Sequence, residues 1–153
     1  MSKSYTSYKA IVIAKLTALL GETPPNTLFA EVLGVNKPPT EGYPMAYVME
    51  KTGGGTILDT HRNAREWQFD IVIHQEIGNK TQEQAYEALL DATDRVIDAF
   101  DQDPMLKDVN GQHQCKWVRV VPVAFEFASQ ETAVHRALLT LAIVDVVNRY
   151  VAP

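Results

Sequence analysis

Apolar residues recur along the chain at two spacings, and the spacing predicts which segments are helices and which are strands. A repeat of three and four residues, typical of an amphipathic helix, covers residues 7–20 and 82–102. Alternation of apolar and polar residues, typical of a strand with one buried face, is clearest at residues 65–77. Further strands are predicted at about 28–35, 45–50, 116–128 and 133–147.

The order of these elements is helix, strands, helix, strands, without the regular alternation of βαβ units. We therefore expect an α+β fold, in which a mixed, mostly antiparallel sheet packs against an amphipathic helix. An N-terminal helix and a C-terminal β-hairpin complete it. At 153 residues and 46% hydrophobic, residues 1–153 are predicted to form a single domain.

The strand at 65–77 predicts one buried face and one face that is wet or an interface. The predicted buried side chains are Trp67, Phe69, Ile71 and Ile73. The predicted outward side chains are Gln68, Asp70, His74 and Glu76, and only Val72 breaks the alternation.

The helix at 82–102 begins with a predicted capping box, Thr81 and Gln84, and ends before Pro104. Its predicted buried stripe is Ala85, Leu89, Ala92, Val96 and Phe100. The opposite stripe is acidic: Glu83, Glu87, Asp91, Asp94, Asp98 and Asp101. We interpret this stripe as a solvated face, and the alternatives are docking to a basic partner or repulsion of nearby DNA.

The remaining elements are predicted from shorter patterns. The apolar stripe of the first helix is predicted to be Tyr8, Val12, Leu16 and Leu19. In the strand at 28–35, one face is predicted to carry Phe29, Leu33 and Val35. The β-branched end of 133–147 favours a strand despite its alanine and leucine content. In the strand before it, Pro122 predicts an edge or a bulge. One face of that strand is predicted to carry Trp117, Val121, Val123, Phe125 and Phe127.

The segment EKTGGGTILD, residues 50–59, raises the question of a phosphate-binding loop. Such a loop places its glycines before the Lys-Thr pair and a helix directly after it. Here Lys51 and Thr52 precede Gly53, Gly54 and Gly55, and a strand follows. We interpret residues 51–64 as a mobile hairpin loop, and residues 37–44 as a rigid Pro-rich loop.

Composition narrows the functional classes. A net charge of −5 argues against a general nucleic-acid binder, and one cysteine, Cys115, excludes an internal disulfide. The four histidines (His61, His74, His113 and His135) lack metal-ligand spacing, so we expect ordinary surface histidines and no zinc. The N-terminal apolar run is interrupted by Lys9 and Lys15, which indicates a soluble, non-secreted protein. No local motif of a catalytic nucleophile is present.

The order of elements resembles the tail terminator, or tail completion, proteins of long-tailed bacteriophages. The resemblance runs from about Tyr5 to Val147. Its short patterns are GYPMAYV, the aromatic strand WQFDIVI before the acidic helix, and the closing hairpin VPVAFEFASQETAVHRALLTLAIVDV. It implies a ring, a hexamer in such proteins, that sits on the last ring of the tail tube, stops its growth and offers a surface to the head–tail connector.

That resemblance further implies a structural virion protein that is not an enzyme and needs no cofactor, with genomic DNA passing through the lumen without specific binding. Loops that order on docking suit its contacts, and the basic spot of His61, Arg62 and Arg65 lies beside the glycines. The expected interface residues are Lys37, Tyr43, Lys51, Thr52, Gly53, Gly54, Gly55, His61, Arg62 and Arg65. Alternatives are a head-completion or minor tail protein and, less favoured, a small ligand-binding or enzymatic α+β domain.

Overall fold

Two helices and six strands make up the fold in the computed structural model, which describes residues 3–19, 28–39, 42–52, 55–57, 62–128 and 133–148. The helices are α1 (Tyr5–Ala18) and α2 (Gln82–Asp101). The strands are β1 (Glu31–Leu33), β2 (Met45–Lys51), β3 (Gly55–Ile57), β4 (Arg62–Glu76), β5 (Trp117–Glu126) and β6 (Val134–Asn148). The predicted α+β class, N-terminal helix and C-terminal hairpin are confirmed.

The strands form one mixed sheet in the order β1-β2-β4-β6-β5, and β3 also pairs with β4. β1 runs parallel to β2, and every other pairing is antiparallel. The centre is the long pairing of β4 with β6, from Arg62 opposite Asn148 to Glu76 opposite Val134. Among the described strands, β1 and β5 are therefore the two edges of the sheet.

Both helices pack on the same face of the sheet, α1 on β1, β2 and β4, and α2 on β4, β5 and β6. The residues predicted to be buried in 65–77 lie in this core, as do Tyr8, Val12 and Leu16 of α1. The Tyr8 ring lies 4.8 Å from that of Trp67 between centroids. Burial of large aromatic and aliphatic side chains on this face supplies the main stabilisation of the fold.

The ends and faces of α2 follow the prediction. The Gln84 N–H donates to Thr81 Oγ1, and the Thr81 N–H donates to Gln84 Oε1, both at 3.1 Å. This confirms the capping box. The predicted stripe from Ala85 to Phe100 is buried, and the six acidic residues are exposed.

The prediction for the strand at 28–35 is wrong in two respects: the strand is shorter, and its apolar side chains do not share one face. Only Glu31–Leu33 pair with β2, and Phe29 packs in the core beneath the helices whereas Leu33 packs on the opposite face. The chain leaves the sheet at Gly34, where an added Cβ would lie 3.3 Å from Lys9 Cε of α1. Val35 is exposed beyond that close approach.

The predicted loop at 51–64 is wrong in extent, because it contains β3 and the first residues of β4. β2 and β3 lie along the same edge of β4, with Lys51 opposite Gln68 and Gly55 opposite Arg65. β3 therefore continues along the edge of β4 that β2 occupies, within the segment predicted to be a loop. Three residues of strand carry too little alternation to be recognised in the sequence.

The predicted common face of Trp117, Val121, Val123, Phe125 and Phe127 is also wrong. The register between β5 and β6 shifts between Pro122, opposite Leu139, and Ala124, opposite Leu138, so Val123 is an extra residue in a β-bulge. A bulge reverses the parity of the residues that follow it. The edge position and the bulge that Pro122 predicted are both confirmed.

Candidate protein–protein interface

β5 exposes large apolar side chains along a free edge of the sheet. Trp117, Val121, Val123, Phe125 and Phe127, which follows the strand, are 37–60% exposed. On one side β5 pairs with β6, and on the other no strand of the described part of the chain pairs with it. Long apolar edge strands are the parts of a sheet that recruit another chain. We call β5 with Phe127 the β5 edge.

Side-chain contacts hold the two ends of the β5 edge in place. The Arg119 guanidinium carbon lies 5.8 Å from the centroid of the Trp117 ring, which is a cation–π distance. At the other end the Phe127 ring lies 4.8 Å from that of Tyr86 on α2. The rings of Trp117 and Phe127 are thus held by contacts within the protein, so a partner would meet a partly ordered surface.

The sheet face opposite the helices, which we call the open face, carries a second and smaller apolar cluster. Met45, Tyr47 and Val72 are buried in it, and the half-buried side chains around them are Leu33, Tyr43, Met49 and Leu138. Val72 is the residue that broke the alternation in the sequence, and the cluster explains it. The outward face of 65–77 is therefore apolar at its centre and polar at its ends.

A charged row crosses the open face beside this cluster. His74, Arg136 and Glu126 are neighbours across β4, β6 and β5, and Arg136 forms an ion pair with Glu126. These three residues line part of a depression of about 400 Å³. His74 Nε2 is buried and has no hydrogen-bond partner in the described structure. Burial, together with the nearby Arg136 charge, lowers the pKa of His74.

Several of the residues predicted to form an interface lie at one end of the sheet. Lys51 ends β2 and its Nζ lies 3.9 Å from Asp70 Oδ1, while its carbonyl accepts a 2.7 Å hydrogen bond from the Tyr5 hydroxyl. Thr52 follows and is exposed, as is Arg65 on β4 opposite Gly55. The Arg62 backbone pairs with Asn148 at the same end.

Of the other predicted interface residues, the structure places Tyr43 away from this group. Tyr43 precedes β2 at its opposite end, roughly 20 Å away by the rise of a seven-residue strand. Lys37 is exposed in the segment after β1. Gly53, Gly54 and His61 lie outside the described residues. Tyr43 of the Pro-rich loop and Lys51 beside the glycines thus lie at opposite ends of β2, and the β5 edge was not among the predicted interface residues.

The expectation of surface histidines is wrong for His135. It is 2% exposed, its Nδ1 accepts a 2.9 Å hydrogen bond from the Ala128 N–H, and its Nε2 donates to the Gln82 carbonyl at 3.2 Å. His135 therefore joins β6, the end of β5 and the start of α2 as a structural residue. His113 is exposed in a loop, as expected. Cys115 is buried, and burial raises the pKa of its thiol to about 12, with Asp145 and Asp103 adding to the shift.

Asp145 is a buried carboxylate that the sequence reasoning did not single out. Its Oδ2 accepts from the Tyr8 hydroxyl at 3.2 Å and lies 3.0 Å from Lys3 Nζ, and its Oδ1 accepts from the Val146 N–H at 2.8 Å. Burial raises the pKa of Tyr8 far above its usual value, and Asp145 adds to the shift, so the hydroxyl remains a donor. In the sequence, the signal for this buried carboxylate is an acidic residue, Asp145, within the otherwise largely apolar segment 133–147.

The described residues contain no group of three or more His, Cys, Asp or Glu side chains placed to hold a metal ion. Neither described helix has the length and apolar character needed to span a membrane. No protein-family model matches the chain, and no curated protein sequence is significantly similar to it.

Proposed function

We propose that this chain is a structural virion protein: a tail terminator of a long-tailed bacteriophage. In this role it assembles into a ring, with six copies as the expected number, on the end of the tail tube. The ring stops tube polymerisation and presents a surface to the head–tail connector protein. The proposal follows the resemblance of the chain to that family, and the order and class of its secondary structure are compatible with it.

The observation that carries the proposal is the β5 edge. Five large apolar side chains of the β5 edge, distributed over both faces of the sheet, are 37–60% exposed and favour contact with another protein. A ring subunit needs such a surface, because each copy contacts a neighbour on both sides. The open face and the end of the sheet with Lys51 and Arg65 remain available for the tube and the connector.

Charge favours the same role. The chain has a net charge of −5, which disfavours contact with the phosphate backbone, so DNA would pass without specific binding. The role needs neither a catalytic group nor a cofactor. It places the protein in the virion, at the junction of tail and head.

The first test is the mass of the purified protein, measured by light scattering after size exclusion and followed by electron microscopy. Six copies of the 17.1 kDa chain would give about 100 kDa and a closed ring. The protein is then mixed with tubes of the tail-tube protein from the same genome. Capping of tube ends supports the terminator, whereas binding only to the connector protein supports a neighbouring neck component.

A paired substitution tests the basic end of the sheet. Arg62→Glu with Arg65→Glu should leave the fold intact and block joining to the tube, because both charges are reversed beside β3. The matched control is Lys80→Glu with Arg95→Glu, which makes the same charge change at two exposed positions outside that end. Normal capping by the Arg62 and Arg65 variant would remove these residues from the tube contact.

A further inference from the structure

The two edges of the sheet are complementary in strand direction. β1 is parallel to β2, and three successive antiparallel pairings lead from β2 through β4 and β6 to β5. β5 therefore runs opposite to β1. If a second copy is placed beside the first in the same orientation, its β1 lies antiparallel to the first copy's β5, which is a favourable pairing for strands.

The two sides of the molecule also carry opposite net charge. On the side of α1, β1 and β2, residues 3–19, 28–39 and 42–52 hold five lysines and two glutamates, a net +3. On the side of α2 and β5, residues 82–128 hold nine acidic and four basic residues, a net −5. Four of these lysines (Lys3, Lys9, Lys15 and Lys51) form ion pairs, with Asp145, Glu50, Asp103 and Asp70, and α1 itself contains no acidic residue. Opposite charges at the two sides favour contact between unlike sides.

From these observations we propose that the partner of the β5 edge is the β1 side of a second copy of this chain, in head-to-tail orientation. The contact is a short antiparallel ladder along Trp117–Val121, sealed by the exposed apolar side chains. It is short because β1 has three residues and because Pro122 and the bulge at Val123 interrupt β5. This inference deepens the proposed function and rests on it, since a head-to-tail contact is the kind that closes into a ring.

The competing arrangement is a twofold dimer in which β5 pairs with β5. It satisfies strand direction equally well, because a twofold axis makes two copies of one strand antiparallel. However, it brings together two α2 sides, each with a net charge of −5. It also uses the β5 edge of both copies, so it ends at two subunits.

The experiment mixes two variants, each defective on one side. Val121→Lys with Val123→Lys replaces exposed valines of the β5 edge, and Val35→Glu with Lys37→Glu alters exposed residues just after β1. Each variant alone should be monomeric in sedimentation velocity at concentrations where the parent protein associates. An equimolar mixture should form dimers and nothing larger, because only one intact pair of surfaces remains. Val109→Lys, at a fully exposed loop valine, is the matched control and should associate like the parent.

Three outcomes would overturn the proposal: association of the Val35 and Lys37 variant by itself, absence of dimers in the mixture, or association unchanged in both variants. Salt gives an independent readout. Opposite charges across the contact predict at least tenfold weaker association when sodium chloride is raised from 50 to about 500 mM, whereas a β5–β5 dimer would be strengthened by screening.

Cross-linking tests the contact even when it is weak. Val121→Cys protein and Val35→Cys protein are treated with a bis-maleimide, separately and mixed, at the highest concentration the protein reaches. Cys115 is buried, so the parent protein gives the background. Products only in the mixture support the head-to-tail contact, products from Val121→Cys alone show the β5–β5 dimer, and none in either case refutes self-association through β5. Cross-linked rings that fail to cap tubes would instead refute the terminator and leave the contact standing.

Discussion

Asp145 joins the first helix to the last strand, and its replacement by asparagine should measurably destabilise the fold. The Asp145 residue is 9% exposed, and its carboxylate accepts from Tyr8, from Lys3 and from the backbone of Val146. In asparagine one of the two oxygens becomes an NH₂ donor. Whichever way the amide is oriented, a donor then faces either the Val146 N–H or the Tyr8 hydroxyl and the Lys3 ammonium.

The expected loss is about 1.5–3 kcal/mol, the range for hydrogen bonds to a charged group in a protein interior. The loss of stability is reduced because the Tyr8 hydroxyl also lies 3.0 Å from the Gln114 carbonyl and can donate to it instead. The ion pair with Lys3 adds little, since the Lys3 side chain is 40% exposed and such pairs contribute about 0–1 kcal/mol. For a chain of this length the loss corresponds to a decrease in Tm of about 3–12 °C.

Urea unfolding followed by circular dichroism measures the effect, with Asp94→Asn on the exposed face of α2 as the charge-matched control. Lys3→Ala should cost less than Asp145→Asn, and a double-mutant cycle with Tyr8→Phe should show coupling of about 1 kcal/mol. If Asp145→Asn changes the free energy of unfolding by less than about 0.5 kcal/mol, the carboxylate does not hold these elements together and the reasoning fails.

The other predictions concern single side chains. Thr81→Ala should lower the free energy of unfolding by about 1 kcal/mol in urea, while Thr81→Ser, which keeps the capping oxygen, should not. Phe100→Ala empties a fully buried site, and calorimetry should show a loss of about 3–5 kcal/mol. Because the pKa of Cys115 is raised to about 12, its thiol should react with a disulfide reagent far more slowly in the native protein than in urea. The pKa of His74 lies below its usual 6.5, so its contribution to stability is complete above pH 6.5 and falls as the pH drops through the lowered pKa. Stability measured across that range should vary less in His74→Gln.

The long elements could be predicted from the sequence because their periodicity extends over many residues. α2 repeats its apolar stripe from Ala85 to Phe100, and β4 alternates from Trp67 to Ile73. Features set by distant pairing could not be predicted in the same way. β3 exists because three residues continue along β4, and the carboxylate of Asp145 is buried among groups from the opposite end of the sequence.

The candidate interface also combines features that the sequence predicts with features that depend on strand pairing. The sequence predicts a strand with an edge or a bulge at Pro122, but the facing of each apolar residue depends on where the bulge forms against β6. One inserted residue, Val123, places Phe125 opposite Ala137 and thus on the helix side of the sheet, while Val121 opposite Thr140 remains on the open face. Alternation alone assigned both to one face. The exposed edge is therefore a property of the pairing of β5 with β6.

The acidic stripe of α2 gains a specific role from the head-to-tail arrangement. Glu83, Glu87 and Asp91 follow one another at i, i+4 spacing, as do Asp94 and Asp98, and like charges at this spacing cost about 0.2–0.5 kcal/mol per pair. The helix tolerates that cost because its capping box and buried stripe stabilise it through other contacts. Solubility would be served equally by mixed charges, which carry no such penalty. In the proposed head-to-tail arrangement, a stripe of one sign on α2, which packs on β5, would have a further effect that mixed charges lack: it would oppose β5–β5 pairing and favour the lysine-bearing side of the next copy.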